Sequence, residues 1–174
     1  HLEGSKSNIS RHYDLSNDLF ALFLDETLTY SAANFGSDEA TFNSLAKAQI
    51  RKIEGVLDFA GVKPGMHILE IGTGWGQLAM QAAYRGAKVH TITLSKEQKE
   101  LAEARITKAG LSNLITVELR DYRDLEGQYD AVVSVEMIEA VGYQYYDTYF
   151  RKCSELLKPD GLMLLQAITI AVFT

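Results

Sequence analysis

The sequence predicts an α/β fold in which a parallel sheet carries helices on both of its faces. Short apolar segments alternate along the chain with segments whose apolar residues recur at helical spacing, and this alternation is typical of parallel strands connected through helices. A glycine-rich stretch, Gly72-Thr73-Gly74-Trp75-Gly76, follows the first of the apolar segments, where such folds turn from a strand into a helix. The length of 174 residues fits a single domain.

An N-terminal helical segment is predicted ahead of the sheet, over residues 8–60. Ser16 or Asn17 caps a short apolar helix there, and a longer helix is predicted from 41 to about 60. This segment is expected to cover the substrate as a lid. Residues 1–7 contain no apolar signal region, and we interpret them as a remnant that does not belong to the fold.

The α/β core is predicted over residues 61–174. Ser95 is expected to cap the second helix of this core, and Gln98, three residues later, completes a capping box. The predicted strands are 67–71, 89–94, 115–119, 131–135 and 162–170, and the predicted helices are 77–85, 96–109 and 145–157.

The composition of the chain excludes several functional classes. Lys and Arg number 17 against 23 Asp and Glu, which gives a net charge of −6 and disfavours binding to nucleic acid. The single cysteine, Cys153, rules out a disulfide within the chain and a cysteine zinc cluster, and no metal site is predicted. No apolar stretch reaches the length of a membrane-spanning helix. We therefore expect a cytoplasmic protein.

The glycine turn does not fit a dinucleotide or an ATP site. A dinucleotide turn has the spacing G-x-G-x-x-G and an acidic residue about 20 positions later. Here Gln77 replaces the third glycine, and the second strand ends in Thr93-Leu94-Ser95 without a carboxylate; no Walker lysine is present. The pattern Glu70-x-Gly72-x-Gly74-x-Gly76 instead resembles that of the class I S-adenosylmethionine (SAM)-dependent methyltransferases, which implies their Rossmann-like fold and SAM as the cofactor.

Five motifs in order make the resemblance more specific. They are Arg11-His12-Tyr13-Asp14-Leu15-Ser16-Asn17-Asp18, Thr29-Tyr30-Ser31, the glycine turn, Thr93-Leu94-Ser95-Lys96-Glu97-Gln98 and Ser134-Val135-Glu136-Met137-Ile138-Glu139-Ala140-Val141-Gly142. Together they resemble the cyclopropane-fatty-acyl-phospholipid synthase family, over about residues 8–170. The resemblance implies transfer of a methyl or methylene group from SAM to the double bond of an unsaturated fatty-acyl chain of a phospholipid. The substrate would then be met at a membrane surface, with the protein peripheral at the inner face.

The resemblance also implies the residues of the site. Tyr30 and Ser31 would close over the methionine part of the cofactor, and Asp121 with Tyr122 would meet the adenine. The residues implied for cofactor binding are Tyr30, Ser31, Glu70, Gly72, Thr73, Gly74, Gly76, Thr93, Leu94, Ser95, Gln98, Asp121, Tyr122 and Arg123. The residues implied for catalysis are Val135, Glu139 and Gln166. Glu139 and the backbone near Val135 would hold a bicarbonate ion that takes the proton from the carbocation.

The chain departs from the family pattern in three places. Ala32 stands where members with a bicarbonate site often carry cysteine, and Gln166 stands where they often carry histidine. The family continues with two more strands, whereas this chain stops at Thr174, so we expect a fold whose last strands are missing. Residues 162–170 then form an apolar edge strand, through which we expect the chain to dimerise, exchange its C-terminal segment or aggregate.

Alternative interpretations stay open at this point. One alternative function is methylation of a soluble small molecule, and another is a non-catalytic fragment that binds SAM. Glu136 is either a site residue or a polar strand end, and Trp75 either packs or contacts the cofactor. Lys47, Arg51 and Lys52 are expected on a solvated helix face, or against anionic lipid headgroups.

Overall fold

The computed structural model describes residues 17–170 of the chain. The strands are β1 (His67–Ile71), β2 (Lys88–Thr93), β3 (Ile115–Leu119), β4 (Tyr129–Val135) and β5 (Leu157–Gln166). The helices are α1 (Asn17–Ala21), α2 (Phe42–Phe59), α3 (Gln77–Tyr84), α4 (Lys96–Lys108) and α5 (Tyr146–Glu155), with single 3₁₀ turns at Tyr122–Asp124, Ile138–Ala140 and Tyr143–Tyr145. All five strands are parallel, in the order β3-β2-β1-β4-β5.

Helices cover both faces of the sheet, as predicted. Successive strand residues point to opposite faces, so Ile68 of β1 and Val133 of β4 pack with apolar residues of α2, α3 and α4. Leu69 and Val132, their sequence neighbours, pack with α5 on the other face. Because helices cover both faces, the residues of β1 and β4 are buried along almost the whole of each strand.

The strand order reverses between β1 and β4. The chain builds the sheet outward through β2 and β3, and then returns to pair β4 with the free side of β1. Ser134 Oγ of β4 donates to Ile71 O of β1 at 3.2 Å, which fixes the two strand ends beside each other. The carboxyl ends of strands at such a reversal diverge into a crevice where α/β folds bind ligands.

The largest departure from the predicted elements concerns β5. It begins at Leu157, which pairs with Tyr129, and its pairing then becomes irregular until Leu162 meets Ala131. Residues 158–161, left between the predicted helix 145–157 and the predicted strand 162–170, are therefore an irregular part of the strand. Such a position tolerates Pro159, because proline cannot donate to a regular ladder. The strand ends at Gln166 and not at Ile170. Within residues 17–170, no helix is long and apolar enough to cross a membrane.

Candidate functional site

The parallel strands bring most of the predicted site residues to one edge of the sheet. The carboxyl end of β1 leads into the glycine turn, that of β2 into 93–98, that of β3 into 121–123 and that of β4 into 135–139. Gln166 is the last residue of β5. Since all the strands run in one direction, these segments line the same crevice, and Tyr30 with Ser31 reaches it from the N-terminal segment.

The glycine turn is tightly fixed but open at its centre. The N–H groups of Gly72 and Thr73 both donate to Ile92 O at 3.0 Å, which binds the turn to β2. Gly76 has a φ of +88°, and a Cβ there would lie 3.3 Å from Ala102 Cβ of α4, so only glycine fits this helix contact. Gly74 has a φ of +52°, and a Cβ there would meet no atom within 4 Å. The space beside Gly74 is therefore free for a ligand.

Glu70 is a buried carboxyl directly before the turn. Its side chain accepts a hydrogen bond from Thr91 Oγ1 at 2.6 Å, and Thr91 is linked in turn to Thr73 Oγ1 at 2.8 Å. Burial raises the pKa of Glu70 to about 8, against the lowering effects of the Thr91 hydrogen bond and the Lys52 charge. A cation placed near this carboxyl would restore its ionised form, so Glu70 suits a ligand with an ammonium group.

The predicted capping box at the start of α4 forms only in part. Ser95 Oγ accepts from Gln98 N at 3.2 Å, as a cap does. The Gln98 side chain does not return to the Ser95 backbone; its Oε1 accepts from Thr93 Oγ1 at 2.9 Å, and Thr93 Oγ1 accepts from Ser95 N at 3.1 Å. Thr93, buried at the strand end, is inserted between the two cap residues, and it fixes the backbone on either side of the half-buried Leu94.

The segment after β3 presents a fixed carboxylate and an aromatic ring. Asp121 accepts from Arg123 N at 3.0 Å, from Arg123 Nε at 2.9 Å and from Arg123 Nη2 at 2.6 Å. The Tyr122 ring packs edge-on against Tyr149, with centroids 5.1 Å apart. The contact of Asp121 and Tyr122 with an adenine stays a prediction, but both groups are held by neighbours.

Residues 29–32, called the covering segment below, are fastened to the sheet and to α2. Gln49 Nε2 donates to Ser31 O at 2.7 Å and to Thr29 O at 3.2 Å. Lys52 Nζ donates to Ser31 Oγ at 2.5 Å. From the other side, Ala32 N donates to Glu136 Oε1 at 2.9 Å. These contacts hold the covering segment beside the carboxyl end of β4.

Lys52 was missed as a site residue by the sequence analysis. The expectation of a solvated face is wrong for it, since the residue is only 8% exposed, whereas Lys47 and Arg51 pair with Asp38. Burial lowers the pKa of Lys52 to about 8, although the charges of Glu136, Glu70 and Asp25 raise it. The sequence carries a signal for this placement, because Lys52 follows Gln49 by three positions and precedes the buried Val56 by four, so the three residues share one helix face.

Glu136 joins β4 to β5 and to the covering segment. Its Oε1 accepts from Gln166 Nε2 at 2.8 Å and from Ala32 N at 2.9 Å. Val135 pairs with Gln166 in the sheet, and Glu139 Oε1 accepts from Ile168 N at 2.5 Å. The groups at both positions where the chain departs from the family pattern, Ala32 and Gln166, thus donate to Glu136. Bicarbonate binding at this end of the sheet stays a prediction.

Trp75 of the glycine turn packs against α1. Its Nε1 donates to Asn17 Oδ1 at 2.8 Å, and its ring lies 4.8 Å from that of Phe20. The indole is almost completely buried, which favours the packing interpretation and places α1 over the turn. Residues 11–16 of the predicted N-terminal motif lie outside the described residues.

The residues present fit SAM. The free space at Gly74 accommodates a chain, and the buried Glu70 suits an ammonium group. Comparison with known proteins agrees, since the family model for mycolic acid cyclopropane synthetase matches residues 2–173. The chain belongs to this family. The membership confirms the resemblance drawn from the five motifs.

Relatives of known name share much of the sequence. The chain is 53% identical over 170 residues to the tuberculostearic acid methyltransferase of Mycobacterium tuberculosis H37Rv and 42% identical over 158 residues to the cyclopropane-fatty-acyl-phospholipid synthase of Escherichia coli K12. These alignments cover 95% and 90% of this chain but 40% and 39% of the relatives. The chain therefore spans about two fifths of the length of these cyclopropane synthase family relatives.

Solved structures confirm the predicted class I methyltransferase fold. The mycolic acid cyclopropane synthase CmaA1, complexed with SAH and CTAB, superimposes with a TM-score of 0.86 at 38% identity, covering 92% of this chain and 55% of CmaA1. Coclaurine N-methyltransferase, bound to N-methylheliamine and SAH, gives a TM-score of 0.78 at 25% identity and covers 90% of this chain and 44% of that enzyme. Both neighbours hold SAH, which is SAM without its methyl group.

Proposed function

We propose that the protein transfers a methyl or methylene group from SAM to the double bond of an unsaturated fatty-acyl chain of a phospholipid. The carrying observation is the convergence of three features at one sheet edge: an open glycine turn, a carboxylate-bearing β4 end and the covering segment, which is bonded to the β4 end and to α2. Family membership and the 53% identity to a tuberculostearic acid methyltransferase support a lipid alkene as the acceptor.

The residues of the crevice would bind SAM in the order of the strands. Glu70 would face its ammonium group, Gly74 would let the chain pass close to the backbone, and the Thr93–Gln98 segment would border the ribose. Tyr30 would close the site, since its ring packs edge-on against Phe20 at 5.3 Å. Exclusion of water by these groups favours a reaction through a cation.

The protein does not need to activate the methyl group that is transferred. The sulfonium of bound SAM provides a methyl group that is already electrophilic. The chain then has to align the alkene with that methyl group, keep water away and stabilise the positive charge that develops on the alkene carbon. Aromatic faces attract cations, and Tyr30, Phe20 and Phe23 form an aromatic group beside the turn.

The acyl chain is proposed to come from a membrane surface on the cytoplasmic side. Leu22 of the segment after α1 is 80% exposed and Phe23 is 48% exposed, and Phe23 contacts Tyr30 with ring centroids 6.1 Å apart. An apolar surface next to the covering segment suits a lipid chain that enters the crevice there.

The test is incubation of the complete protein that carries this sequence with methyl-labelled SAM and vesicles of dioleoyl phospholipid. We expect labelled acyl chains that gain one CH₂ unit, measured by mass spectrometry, and no label in vesicles with saturated chains. Label in a soluble compound supplied as a cell extract, with none in lipid, supports small-molecule methylation, for which the coclaurine N-methyltransferase likeness is the precedent. SAM binding without any transfer supports the non-catalytic alternative.

A further inference from the structure

Glu136 has a backbone conformation that its residue type does not favour. Its φ is +47°, in the left-handed region where a side chain crowds the backbone and glycine is preferred. Leu28 is the other non-glycine residue with a positive φ among the described residues. Strain of this kind persists where the surrounding structure maintains it, and it accumulates at functional sites.

The Glu136 carboxylate is held by one oxygen and open at the other. Oε1 accepts both hydrogen bonds, from Ala32 N at 2.9 Å and from Gln166 Nε2 at 2.8 Å. Within residues 17–170, Oε2 accepts no hydrogen bond, and the side chain is only partly buried. An oxygen that is fixed in place but keeps its lone pairs is suited to accept a proton.

Glu136 lies next to the glycine turn. A Cβ on Gly72 would be 3.4 Å from Met137 Cγ, the residue that follows Glu136. The covering segment contacts Glu136 directly through Ala32, and the positive charge of Lys52 is close enough to interact with it. Glu136 therefore borders the crevice between the turn and the covering segment.

Glu139 is less suited to accept a proton. Its Oε1 accepts from Ile168 N at 2.5 Å, and its side chain is exposed in the part of the chain that the structure describes. This hydrogen bond ties the residues after β5 to the 3₁₀ turn at 138–140. The contact gives Glu139 a positioning role, and its exposed side chain distinguishes it from the partly buried Glu136 carboxylate.

We propose that the Glu136 carboxylate is the proton acceptor of the reaction and takes the position in which a bicarbonate ion would otherwise be held. The inference rests on the proposed function. The alkene electron pair forms the bond to the methyl carbon, while the electrons of the sulfur–carbon bond stay on sulfur. Glu136 Oε2 then takes a proton from one of two places. Loss from the transferred methyl group lets its C–H electrons bond to the cationic carbon and close a ring, and loss from a carbon bonded to the cationic carbon forms a new double bond.

Two variants of the complete protein test this proposal in buffer freed of carbon dioxide. We expect Glu136→Gln and Glu136→Gly each to lower the rate of methyl transfer to dioleoyl phospholipid by about 100-fold or more, while SAM affinity, measured by calorimetry, stays within about threefold. Glu136→Gly relieves the positive φ, so its Tm should not fall. Glu126→Gln, an exposed carboxylate after β3, is the matched control and should keep full activity.

Addition of bicarbonate gives a second readout. The wild-type rate should not depend on it, because the carboxylate is built into the chain. Glu136→Gly leaves room for an anion next to Ala32 N and Gln166 Nε2, so added bicarbonate should restore part of its rate, and labelled bicarbonate should show binding by carbon NMR in this variant alone. Glu136→Gln fills the same space and should show neither rescue nor binding.

The results that overturn the proposal are distinct from those that overturn the proposed function. Failure of the wild-type protein to label lipid while it binds SAM overturns both. Lipid labelling by the wild type with a rate that rises on addition of bicarbonate overturns the role of Glu136 alone. Retention of activity within about threefold by both Glu136 variants in bicarbonate-free buffer does the same.

Discussion

At the scale of single residues, Glu70 couples the stability of the fold to pH. Its pKa of about 8 lies above the value of 4.5 for an ordinary glutamate, because burial disfavours the charged form. The folded chain therefore binds more protons than the unfolded chain between these two values. The free energy of unfolding of the ligand-free protein must then fall as the pH rises from about 4.5 to about 8.

Glu70→Gln should remove this dependence. The amide carries no charge, so the variant should be more stable than the wild type at pH 8, by up to about 4 kcal/mol, and about equal to it below pH 4.5. Urea unfolding across this pH range measures the difference. Glu126→Gln, on the surface, serves as the control, and its free energy of unfolding should differ from that of the wild type by a small amount that does not change with pH. If the difference between Glu70→Gln and the wild type were also independent of pH, Glu70 would be ionised in the folded protein.

The sequence predicted the glycines and carboxylates that the structure brings to one sheet edge, but not the cation, Lys52, that lies among them. Glycine spacing is local information, and Gly72, Gly74 and Gly76 take the positive φ that the turn demands. The role of Lys52 depends on a contact with Ser31, 21 positions away. Lysine is seldom buried, so its residue type alone favours the solvated face. Only its spacing of four residues from the buried Val56 indicates that it points inward.

At the scale of elements, the glycine turn between β1 and α3 combines backbone strain with an open space. Gly74 has a φ of +52° and an empty position for a Cβ, and Gly110, at the end of α4, has a φ of +71° and an equally empty position. The two glycines therefore occupy different places in the fold, but a side chain added at either one would meet the same strain from the positive φ and the same lack of neighbouring atoms. This makes Gly110 a matched control for the turn.

Gly74→Ala and Gly110→Ala should destabilise the protein to a similar degree. Each puts a side chain at positive φ, which costs about 1 kcal/mol in the free energy of unfolding. Only Gly74→Ala should weaken SAM binding, by about tenfold or more, because its methyl group enters the space left for the cofactor. Calorimetric titration with SAM measures this. Equal affinity in the two variants would show that the cofactor does not pass Gly74.

Element boundaries were predictable where local signals were strong. The sequence bounds of β3 agree with the structure because apolar alternation starts and stops there. The bounds of β5 were wrong since its first pairing, between Leu157 and Tyr129, precedes the Pro159-Asp160-Gly161 stretch that normally marks a turn. Tertiary pairing with β4 overrides this local signal, and no pattern within 157–166 reveals it.

At the scale of the whole molecule, the outer side of β5 is the open edge of the sheet. Among residues 17–170, β5 pairs with β4 alone, and Leu162 on it is 55% exposed. Its outer side leaves backbone donors and acceptors available for another strand. Natural edges are protected by charged residues, proline or bulges, and from Leu162 to Leu165 the strand has no charged side chain.

We expect a polypeptide of these 174 residues to associate through β5. Pairing of two such edges would satisfy the free backbone groups and bury Leu162. Leu162→Lys places a charge on the exposed part of the edge without touching the crevice, so this variant should sediment as a monomer while keeping its helical circular dichroism. Leu119→Lys, an equally exposed leucine at the end of β3, is the control and should still associate. A wild-type polypeptide that sediments as a monomer at high concentration, with fast amide exchange along 162–166, would contradict the pairing and leave the edge protected by its irregular first half.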